Sequence, residues 1–333
     1  MTVMALKTVE RDVEAMPSPP PHLVAEVPMP APTLVLAKPS WLKLPDGKLL
    51  FDAIWPPVLG LVGFIGLWAV LAPLVQTSLG ALPGPGEVWT EFLGLVQEHG
   101  LARAEAAAVI AAGSAWSGAP TFVDQIFTSL QTVALGFILA TLAAVPIGLI
   151  AGMSKRVNDA INPIIQIMRP ISPLAWLPIV TMVVSASISS ADPLLPKSFV
   201  ISAITVMLCS LWPTLINTAV GVASIDKDLL NVGKVLRLSW LSRLTKLVLP
   251  SAMPFIFTGM RLSLGVGWMV LIAAEMLAQN PGLGKFVWDE FQNGNERSLA
   301  RIMVAVVAIG LIGFALDRIM GVAQNFVAKR MGN

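Results

Sequence analysis

The sequence predicts an all-α membrane protein with six transmembrane helices. Of its 333 residues, 55% are hydrophobic and only 13% are charged, whereas soluble globular domains carry about a quarter charged residues. Long apolar segments follow one another from residue 58 onward, and Lys and Arg are concentrated in alternate connections. This composition excludes an ordinary soluble enzyme. A single Cys and a net charge of +2 give no reason to expect a disulfide scaffold or a nucleic-acid partner.

Residues 1–57 are predicted to form a proline-rich, largely disordered cytoplasmic tail. They hold 11 of the 26 prolines and no sustained apolar stretch. They therefore lack the apolar surface that a packed core requires. The end of this segment, Leu49–Pro57, is predicted to lie at the membrane surface.

Six later segments are long and apolar enough to cross a hydrocarbon core of about 30 Å, which takes roughly 20 helical residues. The third contains four prolines and Arg169, so we expect it to be kinked and buried among neighbours that satisfy its freed carbonyls. The predicted spans are Val58–Val75, Ile126–Met153, Ile161–Val184, Phe199–Ala223, Ser251–Leu277 and Ile302–Val327.

The distribution of positive charge predicts the orientation of these spans. One side of the membrane receives 16 of the Lys and Arg residues, the other receives five, and Arg261 falls within the fifth span. Positive residues are retained on the cytoplasmic side. Both chain termini and the 224–250 loop are therefore predicted to be cytoplasmic.

Small residues recur at every fourth position in the second and fifth predicted spans. Such ladders let helix backbones approach closely. The pattern fits packing within one subunit or direct contact between two subunits, and the sequence leaves both open. The residues are Ala140, Ala144, Gly148, Gly152, Gly259, Ser263 and Gly267.

The chain lacks the residue patterns of ATP binding, metal binding and acid–base catalysis. No Gly-x4-Gly-Lys-Ser/Thr phosphate loop occurs, so we expect no ATP, cofactor or metal on this chain. Coupling ions need ligands near the bilayer midplane, yet Glu275 lies at the outer end of the fifth span and Asp317 near the inner end of the sixth. An ion-coupled secondary transporter is therefore the disfavoured alternative.

The 224–250 loop is patterned as two short helices. Apolar residues at 229, 232 and 236 fit one face of a first helix. A turn follows at 237–239, and Ser239 can cap a second helix, Trp240–Leu249. The loop is either a surface hairpin or a docking element for a cytoplasmic partner.

This loop resembles a motif of the permease subunits of ABC importers, Glu-Ala-Ala-x3-Gly-x9-Ile-x-Leu-Pro, which seats a coupling helix in a cleft of the ATPase. Here Asn231 stands in place of the Glu and Arg237 in place of the Gly. The resemblance, with the leucines that flank Arg237, implies these ATPase-coupling residues: Asn231, Val232, Gly233, Leu236, Arg237, Leu238, Leu247, Leu249 and Pro250.

Further segments are similar to the nitrate/sulfonate/taurine branch of such permeases, and most similar to the nitrate type. The resemblance extends over roughly residues 55–330. The segments are Met153-Ser154, residues 173–178, 212–222, 231–239, 257–261 and 273–277, Gly282-x-Gly284 and residues 286–289.

The resemblance implies a type I ABC importer permease fold. Residues 58–330 would form the membrane domain, with a core transport module at about 122–330. It also implies a non-catalytic subunit of the bacterial inner membrane that moves a small oxyanion by alternating access. Nitrate is favoured, and sulfonate or taurine, bicarbonate and cyanate are alternatives. The implied partners are two ATPase subunits holding ATP and Mg, a second permease copy, an extracytoplasmic solute-binding protein and membrane lipid.

Four residues are candidates for a pathway or gating role. A cation inside a span is costly unless it is paired or wet, so Arg261 could contact an anion or serve a structural or gating role. Arg169, Trp176 and Glu275 complete the candidate set.

Overall fold

The computed structural model describes residues 47–77, 80–188, 195–295 and 297–331. The predicted tail up to residue 46 lies outside the described residues. Among the described residues, those up to Leu59 and those from Gly60 onward belong to separate units, and the packing described below concerns the second. Apart from a short antiparallel pairing of Gln76–Thr77 with Gly80–Ala81, the regular structure of the described part is helical, which confirms the predicted all-α fold.

The described residues form eleven α-helices. A 3-10 turn, Ala72–Leu74, follows the first, and a π-helix, Leu244–Val248, joins the eighth to the ninth. The helices are α1 Gly47–Leu71, α2 Pro85–Ala111, α3 Phe122–Met153, α4 Lys155–Met168, α5 Pro173–Ser187, α6 Lys197–Ala223, α7 Lys227–Val235, α8 Trp240–Arg243, α9 Leu249–Ala278, α10 Leu283–Asn293 and α11 Ser298–Met331.

Five described stretches are long and apolar enough to cross a membrane. They are Ile54–Leu74, Phe122–Met153, Lys197–Ala223, Trp240–Ala278 and Ser298–Lys329. The predicted third span is instead broken, because α4 and α5 meet at a bend of 100°. Counting this bent pair as one span gives the predicted six.

The bend has a local cause. Pro170 and Pro173 bracket the break, and proline has no backbone N–H to continue a helix. Ser172 then begins α5 as its N-cap, accepting a hydrogen bond from the Leu174 amide at 3.3 Å.

One early helix start and two additional helices differ from the sequence prediction. The helix α1 already begins at Gly47, inside the segment assigned to the tail. The connections between spans also contain α2 and α10, which the sequence did not predict. Pro85 occupies the first turn of α2, and Glu87 accepts a hydrogen bond from the Gly84 amide at 3.3 Å. These two features are typical of a helix start.

The centre of the bundle is α6, which packs along both α3 and α9. A Cβ at Gly148 would lie 2.7 Å from Thr218 Cβ, and one at Gly259 would lie 2.8 Å from Asn217 Cβ. Both small-residue ladders therefore bring backbones together within one chain, the first of the two alternatives. At the contact of α6 with α9, the Thr214 and Ser263 hydroxyls are 2.7 Å apart.

Candidate functional site

The loop between α6 and α9 is a hairpin of α7, a turn at 236–238 and α8. Asp226 begins α7 by accepting a hydrogen bond from the Asp228 amide at 2.9 Å. Ser239 begins α8 by accepting one from the Ser242 amide at 3.3 Å, which confirms the predicted cap. We call residues 227–243 the coupling hairpin.

The turn of the coupling hairpin is a Schellman motif. The Leu238 amide donates to the Gly233 carbonyl at 3.1 Å, and the Arg237 amide donates to the Lys234 carbonyl at 2.9 Å. In this motif the residue after the cap adopts the left-handed conformation and is usually Gly. That residue is Arg237, with φ of +49°. The position where the family motif has Gly is therefore the one whose backbone favours Gly.

The apolar face of α7 points outward. Val232, Val235 and Leu236 are 50%, 81% and 64% exposed. The opposite face, with Lys227 and Lys234, turns back toward the ends of α3 and α6. A helix that folds only against its own chain buries its apolar stripe. The opposite arrangement on α7 leaves apolar side chains exposed at the surface of the hairpin.

The second half of the loop is not the separate helix predicted at Trp240–Leu249. The helix α8 ends at Arg243 and continues through the π-helix into α9, so the hairpin stands directly on a long membrane helix. Gly233 is buried against Leu247: a Cβ there would lie 2.7 Å from Leu247 Cδ1. Leu249 and Pro250 form the first turn of α9.

The remaining coupling residues divide between the surface and the base of the hairpin. Asn231 is exposed, and its side-chain oxygen accepts a hydrogen bond from Lys234 Nζ at 3.4 Å. Leu238 is half-buried. The sequence did not place Val235, Trp240 or Leu241 among the coupling residues, although Trp240 and Leu241 are both about 60% exposed beside the turn.

Arg169 lies at the bend between α4 and α5. It is the last, C-capping residue of α4, and its amide bonds to the Ile165 carbonyl at 2.9 Å. Its side chain is exposed and forms no ion pair with any described residue. Trp176, one turn into α5, is half-buried.

Arg261 is paired rather than free. Its Nε lies 2.5 Å from Asp317 Oδ1 and its Nη2 lies 2.6 Å from Asp317 Oδ2. The pair sits at a cavity of about 200 Å³ between α9 and α11, next to Trp268. Asp317, which the sequence suggested only as a residue near the inner membrane surface, therefore neutralises Arg261.

Glu275 is completely buried near the end of α9. Ser129 Oγ on α3 donates to its carboxylate, at 2.9 Å from Oε1 and 2.8 Å from Oε2, and the Gly284 amide donates to Oε2 at 3.0 Å. Ser129 Oγ in turn accepts from the Leu283 amide at 2.8 Å. The carboxylate thus ties α3 and α9 to the start of α10. Its interactions do not join it to Arg169, Trp176 or Arg261.

Comparison with known proteins decides the family. Residues 144–333 match the family described as "Binding-protein-dependent transport system inner membrane component". The chain belongs to this permease family. The family description places such proteins in the inner membrane, as components of binding-protein-dependent transport systems, and the multiple apolar helices fit that location.

Similar permeases carry two different transport names. The bicarbonate transport system permease protein CmpB of Synechococcus elongatus is 33% identical over 303 residues, covering 89% of this chain and 96% of that protein. The nitrate import permease protein NrtB of the same species is 32% identical, covering 87% and 94%. NrtB of Synechocystis sp. is 38% identical over 204 residues, covering 61% and 69%. These similarities confirm an ABC importer permease, related to both nitrate and bicarbonate permeases, and do not separate nitrate from bicarbonate.

In this permease, the coupling hairpin and the bend hold separate features. The hairpin carries exposed apolar side chains, whereas Arg169 lies at the bend without an ion-pair partner among the described residues. The Arg261–Asp317 pair links α9 to α11, and Glu275 links α9 to α3 and α10. Sequence analysis identified these residues as candidates. It could not show that the side chains of Arg261 and Glu275 are already bonded to other helices.

Proposed function

We propose that this permease is the membrane-spanning subunit of an ATP-driven importer of a small oxyanion, and that α7 docks it to an ABC ATPase. The observation that carries the proposal is the outward apolar face of α7. Complete burial of an exposed Val or Leu contributes about 1.5–3 kcal/mol. An ATPase cleft that buries this face would therefore gain binding free energy from each apolar side chain.

The proposed assembly contains two copies of the permease, two ATPase subunits that hold ATP and Mg, and an extracytoplasmic solute-binding protein. Because α8 continues into α9 without a break, displacement of the hairpin by the ATPases would move α9 directly. The membrane helix α9 packs on α6 and α11. Hinged motion of this unit would then open the pathway alternately to each side, while hydrolysis takes place on the ATPases.

Nitrate is the first proposed anion and bicarbonate the second. Both are small oxyanions, and both occur in the names of relatives with nearly equal identity and coverage. Sulfonate or taurine and cyanate are further candidates within the branch. The solute-binding protein is proposed to do most of the selecting, so the ligand that its purified form holds, assayed with labelled nitrate and bicarbonate in competition, tests this choice.

Arg169 is the proposed anion contact on the pathway. It is an exposed cation without an ion-pair partner among the described residues, and it lies at the bend of the one broken span. Arg261 is proposed to serve a structural or gating role instead, because Asp317 already neutralises its charge. Glu275 is proposed to hold helices in place, since its carboxylate reaches no solvent.

An ion-coupled secondary transporter is the alternative from a different class. It would need a titratable carboxylate that an ion can reach. Deep in the described spans, Glu275 is sealed among hydrogen-bond donors and offers no open coupling site. Asp317 already carries a cation, because it is bonded to Arg261.

The experiment that tests the proposal is co-purification of the ATPase with a variant of α7. Val235→Asp should abolish ATPase recovery, because the side chain is 81% exposed and would place a charge in the apolar contact. The permease should still insert at normal levels. Val235→Leu, which keeps the surface apolar, is the matched control and should recover ATPase normally. Equal ATPase recovery with both variants would show that the coupling hairpin is exposed to solvent and that α7 does not dock the ATPase.

A further inference from the structure

A second feature of the coupling hairpin is a basic cavity on its inner side. Lys227, Lys234 and Arg243 line a cavity of about 320 Å³ together with apolar side chains that include Met153 and Val222. The cavity lies where α3 and α6 end and α7 begins. It is therefore formed by the ends of membrane helices and by a loop outside them.

These three cations have no counter-charge in the described part of the chain. None of them forms an ion pair there, and Lys234 bonds only to the neutral Asn231 side chain. The two acids that flank Lys227 in sequence, Asp226 and Asp228, form no ion pair with it, and Asp226 caps the start of α7. Three positive charges that line one cavity repel one another unless an anion binds among them.

The walls of the cavity indicate an amphiphile rather than a free ion. Met153, Val222, Leu230 and Val248 give it an apolar surface beside the cations. A neighbouring cavity of about 440 Å³ shares Gly152 and Ala223 with it and adds Lys155. Basic side chains thus line both cavities at the ends of α3 and α6.

We propose that this cavity binds the headgroup of an anionic phospholipid, with its acyl chains running along the ends of α3 and α6. Basic pockets between membrane helices on the cytoplasmic side are suited to such headgroups. The face of α7 that turns toward the cavity is opposite the apolar face proposed for the ATPase, so lipid and ATPase occupy different sides of one helix. The lipid would hold α7 at the angle that presents Val235 outward.

The test is native mass spectrometry of the purified full chain in detergent, without ATPase. Dioleoylphosphatidylglycerol and dioleoylphosphatidylcholine are the two probes, at equal concentration. The chain should retain phosphatidylglycerol preferentially, and Lys234→Gln should weaken that retention about five-fold, with a further loss when Arg243→Gln is added. Lys246→Gln, which removes an exposed charge of the same loop outside the cavity, should change nothing.

Lys227→Gln provides an independent variant, since Lys227 is exposed in the first turn of α7 and its loss leaves the packing intact. It should weaken phosphatidylglycerol retention as Lys234→Gln does. Three results would overturn the proposal: equal retention of the two lipids, equal loss with Lys246→Gln, or displacement of phosphatidylglycerol by inorganic phosphate at equal concentration. A separate co-purification of the same variants with the ATPase gives a further check. Normal lipid retention by Lys227→Gln and Lys234→Gln with loss of ATPase recovery would assign the cavity to an acidic ATPase segment and would also overturn the proposal.

Discussion

Arg261 on α9 and Asp317 on α11 form a two-contact ion pair inside two membrane-spanning helices, with N–O distances of 2.5 and 2.6 Å. Two parallel bonds between a guanidinium and a carboxylate fix geometry as well as charge. The pair explains how a cation is accommodated within the fifth span. It also joins α11 to the helix that carries the coupling hairpin.

Replacing one member of this pair should destabilise the permease more than replacing both. Arg261→Gln or Asp317→Asn leaves the other charge unpaired within a span, so each should lower the thermal unfolding midpoint by about 2–4 °C or more. The double variant should lie closer to the original protein than either single variant. Midpoints in detergent check this, and additive losses in the double variant would contradict a coupled pair.

Arg237→Gly should stabilise the coupling hairpin. Arg237 has φ of +49°, a conformation that Gly adopts without steric penalty, and we expect a gain of about 0.5–1 kcal/mol. Hydrogen exchange of the α7 amides measures it. Leu236→Gly is the matched control, because Leu236 has φ of −73° and should lose stability. Slower exchange in the control than in Arg237→Gly would contradict the role of the left-handed turn.

Gly284→Ala should disrupt the junction of α9 with α10. A Cβ at Gly284 would lie 2.2 Å from the Ile272 carbonyl oxygen, and forced overpacking of this kind costs about 1–3 kcal/mol. Gly265→Ala in α9 is the control, since nothing lies within 4 Å of its Cβ position. Thermal midpoints of the two variants should differ accordingly, and equal midpoints would contradict the close approach.

The predicted topology can be tested with reporter fusions. The imbalance of 16 to five in Lys and Arg predicts that the coupling hairpin is cytoplasmic and that the α2 and α10 connections are outside. Fusions at Gly100 and Asn293 should therefore report an external location, and one at Ser242 an internal one. An external signal at Ser242 would reverse the orientation of every span.

The long apolar helices could be predicted because length and hydropathy suffice for them, and α3, α6, α9 and α11 lie within a few residues of the predicted bounds. The prolines predicted the kink of the third span. They could not give its 100° angle, because missing amide donors locate a break without setting its direction.

Partners far apart in sequence could not be predicted from local patterns. Arg301 on α11 lies 2.9 Å from Glu91 Oε1 and 2.5 Å from Glu98 Oε1, both on α2, and these ion pairs hold a helix whose own sequence is not apolar enough for a span. In the coupling hairpin, spacing identified the motif positions. The side of α7 that is left exposed depends on how Gly233 packs on Leu247, so Val235 emerged only from the structure.

The measurement that tests the central claim most directly is uptake into proteoliposomes that contain the permease, its ATPase and its solute-binding protein. The ATPase and ATP are enclosed in the vesicle lumen, and the solute-binding protein and the labelled nitrate or bicarbonate are added outside. The anion should accumulate in the lumen only when ATP is present there. Val235→Asp should abolish this accumulation, whereas Val235→Leu should retain it. Uphill uptake by the permease alone, driven by a proton or sodium gradient without ATPase, would contradict the account.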